Sequence, residues 1–387
     1  MKNYQKITIV VRAGFPDQIG LFNAVAKLMP NVSMSIVMLR VKEASRTWDN
    51  INSCLKTIYA PGFTIKLFDK EIFFNYGINN ILKNLSPDLI ILTPWSELGI
   101  YQAKNWALKN SIPCIGFLMG PRRFSWSLFL KLRIYFTYFL VRLFSKDLKA
   151  IFCYGEGVKL ALSQIIGSNL DANLVVTSHC VDHKNFEVLD PLKRFEIKMK
   201  FFSKFPQKPL GITFGFIGQL IERKGIDLLL AAFSILLKEN ANINLIIVGD
   251  GPLRTLVQEF LLKHPSHINY FKFLDETDVK AFYLSIDILV VPSRFEDWGH
   301  AVNESLSAGT PVLSSDCVYS SLDMIEDRVN GFIYNQSKQF GLLNAINDVI
   351  LNRDLLAEMG KNASLTINKS WTVEKSAMRW VNALNSL

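Results

Sequence analysis

The stretch from Asp287 to Asp316 narrows the possible folds more than any other. Asp287 to Val291 is a short β-branched run closed by Pro292 and Ser293, the pattern of a strand buried on both faces. Pro292 to Gly299 reads as a loop, and His300 to Ala308 as a short helix. Gly309 stands where a helix C-terminal glycine belongs, and Thr310 to Ser315 reads as the next strand. Two glutamates lie on this unit, eight positions apart. Glu296 is in the loop at the strand's carboxyl end, and Glu304 is just over one turn into the helix. Gly299 lets backbone approach closely at the helix N-terminus, where free N–H groups and the dipole attract anions. An anion there, with a hydroxyl-accepting carboxylate on either side, suits a sugar–diphosphate–nucleoside. The same spacing also occurs in ordinary strand-to-helix connections with two surface glutamates.

The rest of the chain repeats the alternation. Strands are expected at Ile7–Val11, Met34–Leu39, Asp88–Leu92, Ile112–Phe117, Ala150–Tyr154 and Asn173–Val176, alternating with helical segments. This predicts an α/β protein with a doubly wound parallel sheet, whose ligands bind beyond the strands' carboxyl ends. Glu97, Arg122 and Arg123 therefore become candidate ligand residues. With 387 residues, two domains are expected. Residues 187–209, with Asp190-Pro191, a basic segment (Lys193, Arg194, Lys198, Lys200, Lys204), Pro206 and Pro209, read as a linker between domains 1–186 and 210–371. A last helix is expected over 372–387.

In the second domain Ile212 to Gln219 reads as a strand. Arg223 and Lys224 then precede an amphipathic helix with apolar residues at Ile226, Leu229, Leu230, Phe233, Leu236 and Leu237. Two cations at a helix N-terminus oppose the dipole, which makes sense around a phosphate; two solvated charges are the alternative. Ile243 to Pro252 is a strand and glycine turn, with Gly249 and Gly251 placed for close backbone approach.

Together these residues carry a resemblance. Pro-Ser-Arg-Phe-Glu296, Gly299, Glu304, Ala-Gly-Thr-Pro-Val312, the loop ending Lys224-Gly225, and Val-Gly-Asp-Gly-Pro252 are similar, in order, to the E-x7-E signature and donor loops of retaining glycosyltransferases of family 4. Val181, Asp182 and Phe186 match an element that closes the first domain in that family. The resemblance implies a GT-B fold: two Rossmann-like domains facing a cleft, the last helix crossing back to the first domain. It implies transfer of a sugar from a nucleotide-sugar with retention, without metal or other cofactor. It assigns Glu296, Lys224 and Arg223 to catalysis, and Glu304, Gly299, Gly218, Gln219, Gly249, Gly251, Trp298 and His300 to the donor. The chain departs from the pattern at Gln219, where an arginine is usual, at Leu274-Asp275, at Val318 to Leu322, and at Gly116 to Gly120, where no histidine stands. A GT-B sugar-nucleotide epimerase and a non-catalytic nucleotide-sugar binder are the rival readings.

A net charge of +9 points to anionic partners, and no basic block or nucleic-acid motif favours nucleic acid. The five cysteines are scattered without a Cys-x-x-Cys pair, which suits reduced cytoplasmic thiols better than a metal or disulfide framework. The segment 124–149 is aromatic and carries Lys131, Arg133 and Arg142, too closely spaced for a transmembrane helix. It reads either as a helix docked on the sheet or as one lying on an anionic membrane. The latter suggests a lipid-linked glycan acceptor in bacterial capsule, exopolysaccharide or lipopolysaccharide assembly.

Overall fold

The computed structural model describes residues 4–40, 53–67, 70–121, 128–167, 174–187, 190–206, 209, 211–239 and 242–387. The chain divides into two compact units: Met1–Cys180 with Val373–Leu387, and Val181–Thr372.

Among the described residues, the first unit is built on a parallel sheet of β1 (Lys6–Val11), β2 (Ser33–Met38), β3 (Lys56–Tyr59), β6 (Leu89–Thr93), β7 (Cys114–Leu118), β8 (Ala150–Cys153) and β9 (Leu174–Val176). A two-stranded antiparallel hairpin, β4 (Gly62–Leu67) and β5 (Lys70–Asn75), lies between β3 and β6 in sequence. The sheet order is β3-β2-β1-β6-β7-β8-β9. The central strands are buried along their length, which explains runs such as Ile7-Thr-Ile-Val-Val and Leu89-Ile-Ile-Leu. The last helix, Val373–Asn385, belongs to this unit. Its Trp380 is fully buried against Phe22, Phe117 and Phe152, with ring centroids 5.6, 4.7 and 5.1 Å away.

The second unit has a parallel sheet of β10 (Ile212–Ile217), β11 (Ile243–Val248), β12 (Ile268–Phe271), β13 (Ile288–Val291), β14 (Val312–Ser315) and β15 (Gly331–Tyr334), in the order β12-β11-β10-β13-β14-β15. Helix Ile226–Lys238 buries Ile226, Leu229, Leu230, Phe233 and Leu236, the stripe set by its period. Gly215 in mid-strand is a packing requirement. A Cβ there would stand 2.5 Å from Ile286 and 2.8 Å from Phe282, so glycine lets the Glu276–Ser285 helix segment close on the sheet.

The boundary between the units differs from the expected linker. Residues 187–209 include helix Pro191–Phe202, with Asp190 accepting a bond from the Leu192 N–H at its N-cap. The helix belongs to the second unit, where Arg194 bonds Thr310 at 2.9 Å and Phe201 stacks near Phe271. The Val181–Phe186 element, expected to close the first domain, also falls in the second unit. Asn303 accepts the Val181 N–H at 2.5 Å, and Phe186 meets Tyr283 edge-on at 5.7 Å.

Helix Leu128–Ser145 covers most of the described part of segment 124–149. Ile134, Val141 and Phe144 are buried, while Tyr135, Phe136, Phe139, Arg142 and Leu143 are exposed. Buried Lys104 donates to the carbonyls of Phe144 and Lys146 at 2.7 and 2.5 Å, capping the helix C-terminus. No helix among the described residues is long and apolar enough to cross a membrane. Arg122 and Arg123 lie outside the described residues.

Candidate donor site

The strand order places the candidate residues. In the second unit it reverses between β10 and β13, the switch point where doubly wound sheets open a crevice at their carboxyl ends. The turn Glu222–Lys224 follows β10, and the loop 292–299 follows β13. Residues far apart in sequence therefore meet. Lys224 Nζ lies 2.5 Å from Glu296 Oε1, and Arg223 Nη1 donates to Glu296 Oε2 at 2.9 Å. Arg223 Nη1 also donates to the Phe295 carbonyl at 3.0 Å, and the Ser293 hydroxyl to Glu296 Oε1 at 3.0 Å. Glu296 is 3% exposed. Burial, the largest single influence, pushes its carboxyl up; the adjacent charges of Lys224 and Arg223 and their hydrogen bonds together outweigh it. The group lies below its ordinary value and is a carboxylate at neutral pH.

Two features hold the loop. The Arg294 backbone N–H bonds the Arg223 carbonyl at 2.8 Å, and the Glu296 N–H bonds Cys317 O at 3.1 Å. Gly225 makes the first approach possible: at φ +72° it lies where any Cβ would collide with the Pro292 carbonyl. The Arg294 guanidinium forks onto Asp227 at 2.8 and 2.6 Å, fixing the first turn of helix Ile226–Lys238. Sequence reading did not single out Arg294, because nothing local marks its distant partner.

Gly299, at φ +105°, starts helix His300–Ser307; a Cβ would stand 2.8 Å from Val318. Its carbonyl accepts the Ser320 hydroxyl at 3.0 Å, and the Ser320 N–H bonds Trp298 O at 3.0 Å. Val318 to Leu322, where the sequence departs from its resemblance, thus supports the loop. Glu304 accepts from Tyr283 at 2.6 Å. Tyr283 is fully buried; burial first, then the negative charge and hydrogen bond of Glu304, push its phenol well up, so it acts as a donor. Arg194 donates to the Ala308 carbonyl at the other end of the helix. Neither Tyr283 nor Arg194 carries a local sequence signal, since both act across the fold.

The remaining candidates sort by position. Gly249, at φ +147°, adjoins the Gly218 carbonyl, and Gly251, at φ +156°, the Leu220 carbonyl; both are required for the two loops to pack. Gly218, at φ +151°, has the Lys224 stem 3.8 Å from where its Cβ would be, which leaves open backbone beside the lysine. Gln219 is exposed and His300 half-buried. Trp298 is 1% exposed, with its ring 5.9 Å from that of Trp371; it lies beneath the loop. In the first unit Glu97 is buried between two arginines. His179, which sequence reading did not select, is buried with its Nε2 2.8 Å from Asp17 Oδ2. Its only sequence signal was its place just past β9.

Residues 198–366 match the model of the family described as glycosyl transferases group 1. The poly(ribitol-phosphate) alpha-N-acetylglucosaminyltransferase of Staphylococcus aureus (strain COL) is 24% identical over 206 residues, covering 51% of this chain and 42% of that protein. The capsular polysaccharide biosynthesis glycosyltransferase CapM of Staphylococcus aureus is 23% identical over 250 residues, covering 61% and 62%. The chain spans less than two thirds of the length of these relatives. Anabaena HepE, solved in complex with UDP, superposes with a TM-score of 0.75 at 15% identity, over 99% of this chain and 100% of that one. The architecture is therefore GT-B: α/β, with two Rossmann-like domains built on parallel sheets.

Proposed function

We propose that this chain is a retaining, metal-independent glycosyltransferase of family 4. It moves a sugar from a nucleotide-sugar to a glycan acceptor in assembly of a bacterial cell-surface polysaccharide such as capsule, exopolysaccharide or lipopolysaccharide. The observation that carries the reading is the buried Glu296 carboxylate bound by both Lys224 and Arg223 at the switch point of the second sheet. The names of the relatives support it: one acts on poly(ribitol-phosphate), one serves capsule biosynthesis, and a structural neighbour binds UDP.

The chemistry follows from charge. Departure of a nucleoside diphosphate builds negative charge on its outer phosphate. Lys224 and Arg223, fixed in place by Glu296, meet that charge without reorganising, and the N-terminus of helix His300–Ser307 adds its dipole. Glu296 holds both cations in place and accepts from donor sugar hydroxyls. Glu304, held by Tyr283, accepts from the ribose hydroxyls. Gly218, Gly249 and Gly251 offer backbone to the nucleotide. Retention places the acceptor on the face the leaving group vacates. The acceptor in this reading is lipid-linked, on the cytoplasmic membrane face. The exposed aromatic side of helix Leu128–Ser145, with Arg142, lies on anionic headgroups.

A panel of UDP-, GDP-, dTDP- and ADP-sugars tests the proposal, scored by thermal shift and then by nucleotide release. One donor is expected to bind and to be slowly hydrolysed. Glu296→Gln is expected to lower turnover by about 100-fold or more, the size of losing a preorganised transition-state contact. Binding without any turnover, even with candidate acceptors, would sink the transferase reading in favour of a binder; an altered sugar nucleotide would indicate an epimerase.

A further inference from the structure

The helix that carries Glu304, His300–Ser307, is only eight residues long. A helix so short draws little stability from its own hydrogen bonds, and the carbonyls of a last helical turn have no partner within the helix. Tyr283, which donates to Glu304 at 2.6 Å, stands on a different helix, Glu276–Ser285, and its carbonyl lies in that helix's last turn. The Tyr283–Glu304 bond therefore joins two elements, and its length depends on how they are spaced.

One side chain reaches the ends of both. Arg194, from helix Pro191–Phe202, donates through Nη1 to the carbonyl of Ala308, the C-cap of helix His300–Ser307. Through Nη2 it donates to the Thr310 hydroxyl at 2.9 Å. That hydroxyl donates in turn to the Tyr283 carbonyl at 2.7 Å. Thr310 is fully buried, and its hydroxyl accepts from the arginine while giving its one hydrogen to Tyr283, which sets the direction of the link. The guanidinium is planar, so its two nitrogens hold their acceptors at a fixed separation, and its charge complements the negative ends of both helix dipoles.

The surroundings are shaped to admit this fork. Gly309, at φ +66°, turns the chain between Ala308 and Thr310; a Cβ there would stand 3.3 Å from Arg194 Nη1 and 2.9 Å from Ser364 Oγ. Thr310 is fixed to the helix that it follows: its N–H bonds the Ser305 carbonyl at 2.9 Å, and the Ser305 hydroxyl bonds its carbonyl at 3.0 Å. Lys198, one turn further along Arg194's helix, pairs instead with Asp287 at 3.1 Å, just before β13. That pair anchors the same helix by another route.

We propose that Arg194 is a positioning residue for the donor: by clamping the ends of two helices it holds Glu304 and Tyr283 at the spacing that fixes a ribose hydroxyl. This deepens the transferase reading and rests on its assignment of Glu304 to the ribose; the clamp itself stands on the geometry of the second unit alone.

The test titrates the full chain with UDP, GDP and ADP and with their 2′-deoxy forms, by calorimetry. Wild type is expected to bind one ribonucleotide about tenfold more tightly than its 2′-deoxy form, the size of one hydrogen bond to a charged group. Arg194→Met is expected to cut that ratio to about twofold or less. Thr310→Val, which breaks the link at its next step, should act in the same direction, and it carries the test if Arg194→Met does not fold. Arg194→Lys keeps the charge without the fork, and is expected to recover urea stability but not the ratio. Lys198→Met loosens the same helix and is expected to keep the wild-type ratio, whatever stability it loses. Wild-type ratios in both Arg194→Met and Thr310→Val, or an equal loss of ratio in Lys198→Met, would reduce Arg194 to a stabiliser of the fold and overturn the proposal while leaving the donor reading intact. A wild type that binds no nucleotide, or binds one without discriminating its 2′-deoxy form, would remove the ribose assignment of Glu304 and the proposal with it.

Discussion

Each unit buries one glutamate between two cations at the switch point of its sheet. Glu296 lies between Lys224 and Arg223, and Glu97 between Arg12 and Arg40. The surroundings differ. Glu296 sits in a loop that also supplies Ser293, ends in a glycine at positive φ and opens a helix N-terminus beside open glycine backbone. Glu97 sits on a helix N-cap against strand-end arginines, one of them backed by an aromatic ring. The first arrangement leaves open glycine backbone beside its cations, and the second sets two side-chain forks on one carboxylate. The same topology and the same charge pattern thus take two forms, depending on what surrounds the carboxylate.

That contrast can be broken by substitution. Gly249→Val attacks the backbone packing peculiar to the second unit. A Cβ at φ +147° collides with the Gly218 carbonyl, so a loss of about 3 kcal/mol or more is expected by urea unfolding. A near-neutral result would mean that the two glycine loops are free to separate. Glu97→Gln leaves two guanidiniums repelling each other in partial burial. A loss of roughly 2 kcal/mol is expected, with donor binding intact. If the donor thermal shift disappeared as well, the two clusters would not be independent. Tyr283→Phe removes one charge-assisted bond to Glu304. Donor affinity should fall about five- to tenfold, roughly 1 kcal/mol, with little change in turnover at saturation; an effect on turnover alone would contradict the ribose assignment.

The smallest effect is expected from pH. The Glu296 carboxyl lies below its ordinary value of 4.5 in the folded chain. Its ion pairs therefore contribute stability that is fully present above that value and is lost as pH falls through the folded one. Acid unfolding curves of Glu296→Gln should lack this component and run flatter than wild type below about pH 4.5. Parallel curves would show that Lys224 and Arg223 do not depress the group.

How much of this was legible follows from where each signal lies along the chain. The buried strands were readable as unbroken β-branched runs: β10, β11 and β13 begin within a residue of their expected positions, β14 within two. β3 and the β4–β5 hairpin were not, because most of their residues with described burial are exposed or half-exposed and they lack such a run. Helix Pro191–Phe202 was hidden by the charges and prolines that made 187–209 look like a linker; its Asp190-Pro191 start is an N-cap followed by proline at the first helical position. Glu296, Glu304 and Gly299 were legible because they share one local unit.

By itself the sequence determined the α/β alternation, the positive-φ glycines and the glutamates of the loop and helix after β13, since each is written in neighbouring residues. Tertiary structure alone decided which cations those carboxylates meet. Arg223 and Glu296 are joined by strand order, as are Arg12, Arg40 and Glu97, and strand order has no local code. It likewise decided that Trp298 supports the loop from below and that Tyr283 holds Glu304. Burial and hydrogen-bond partnership depend on what packs from elsewhere in the chain.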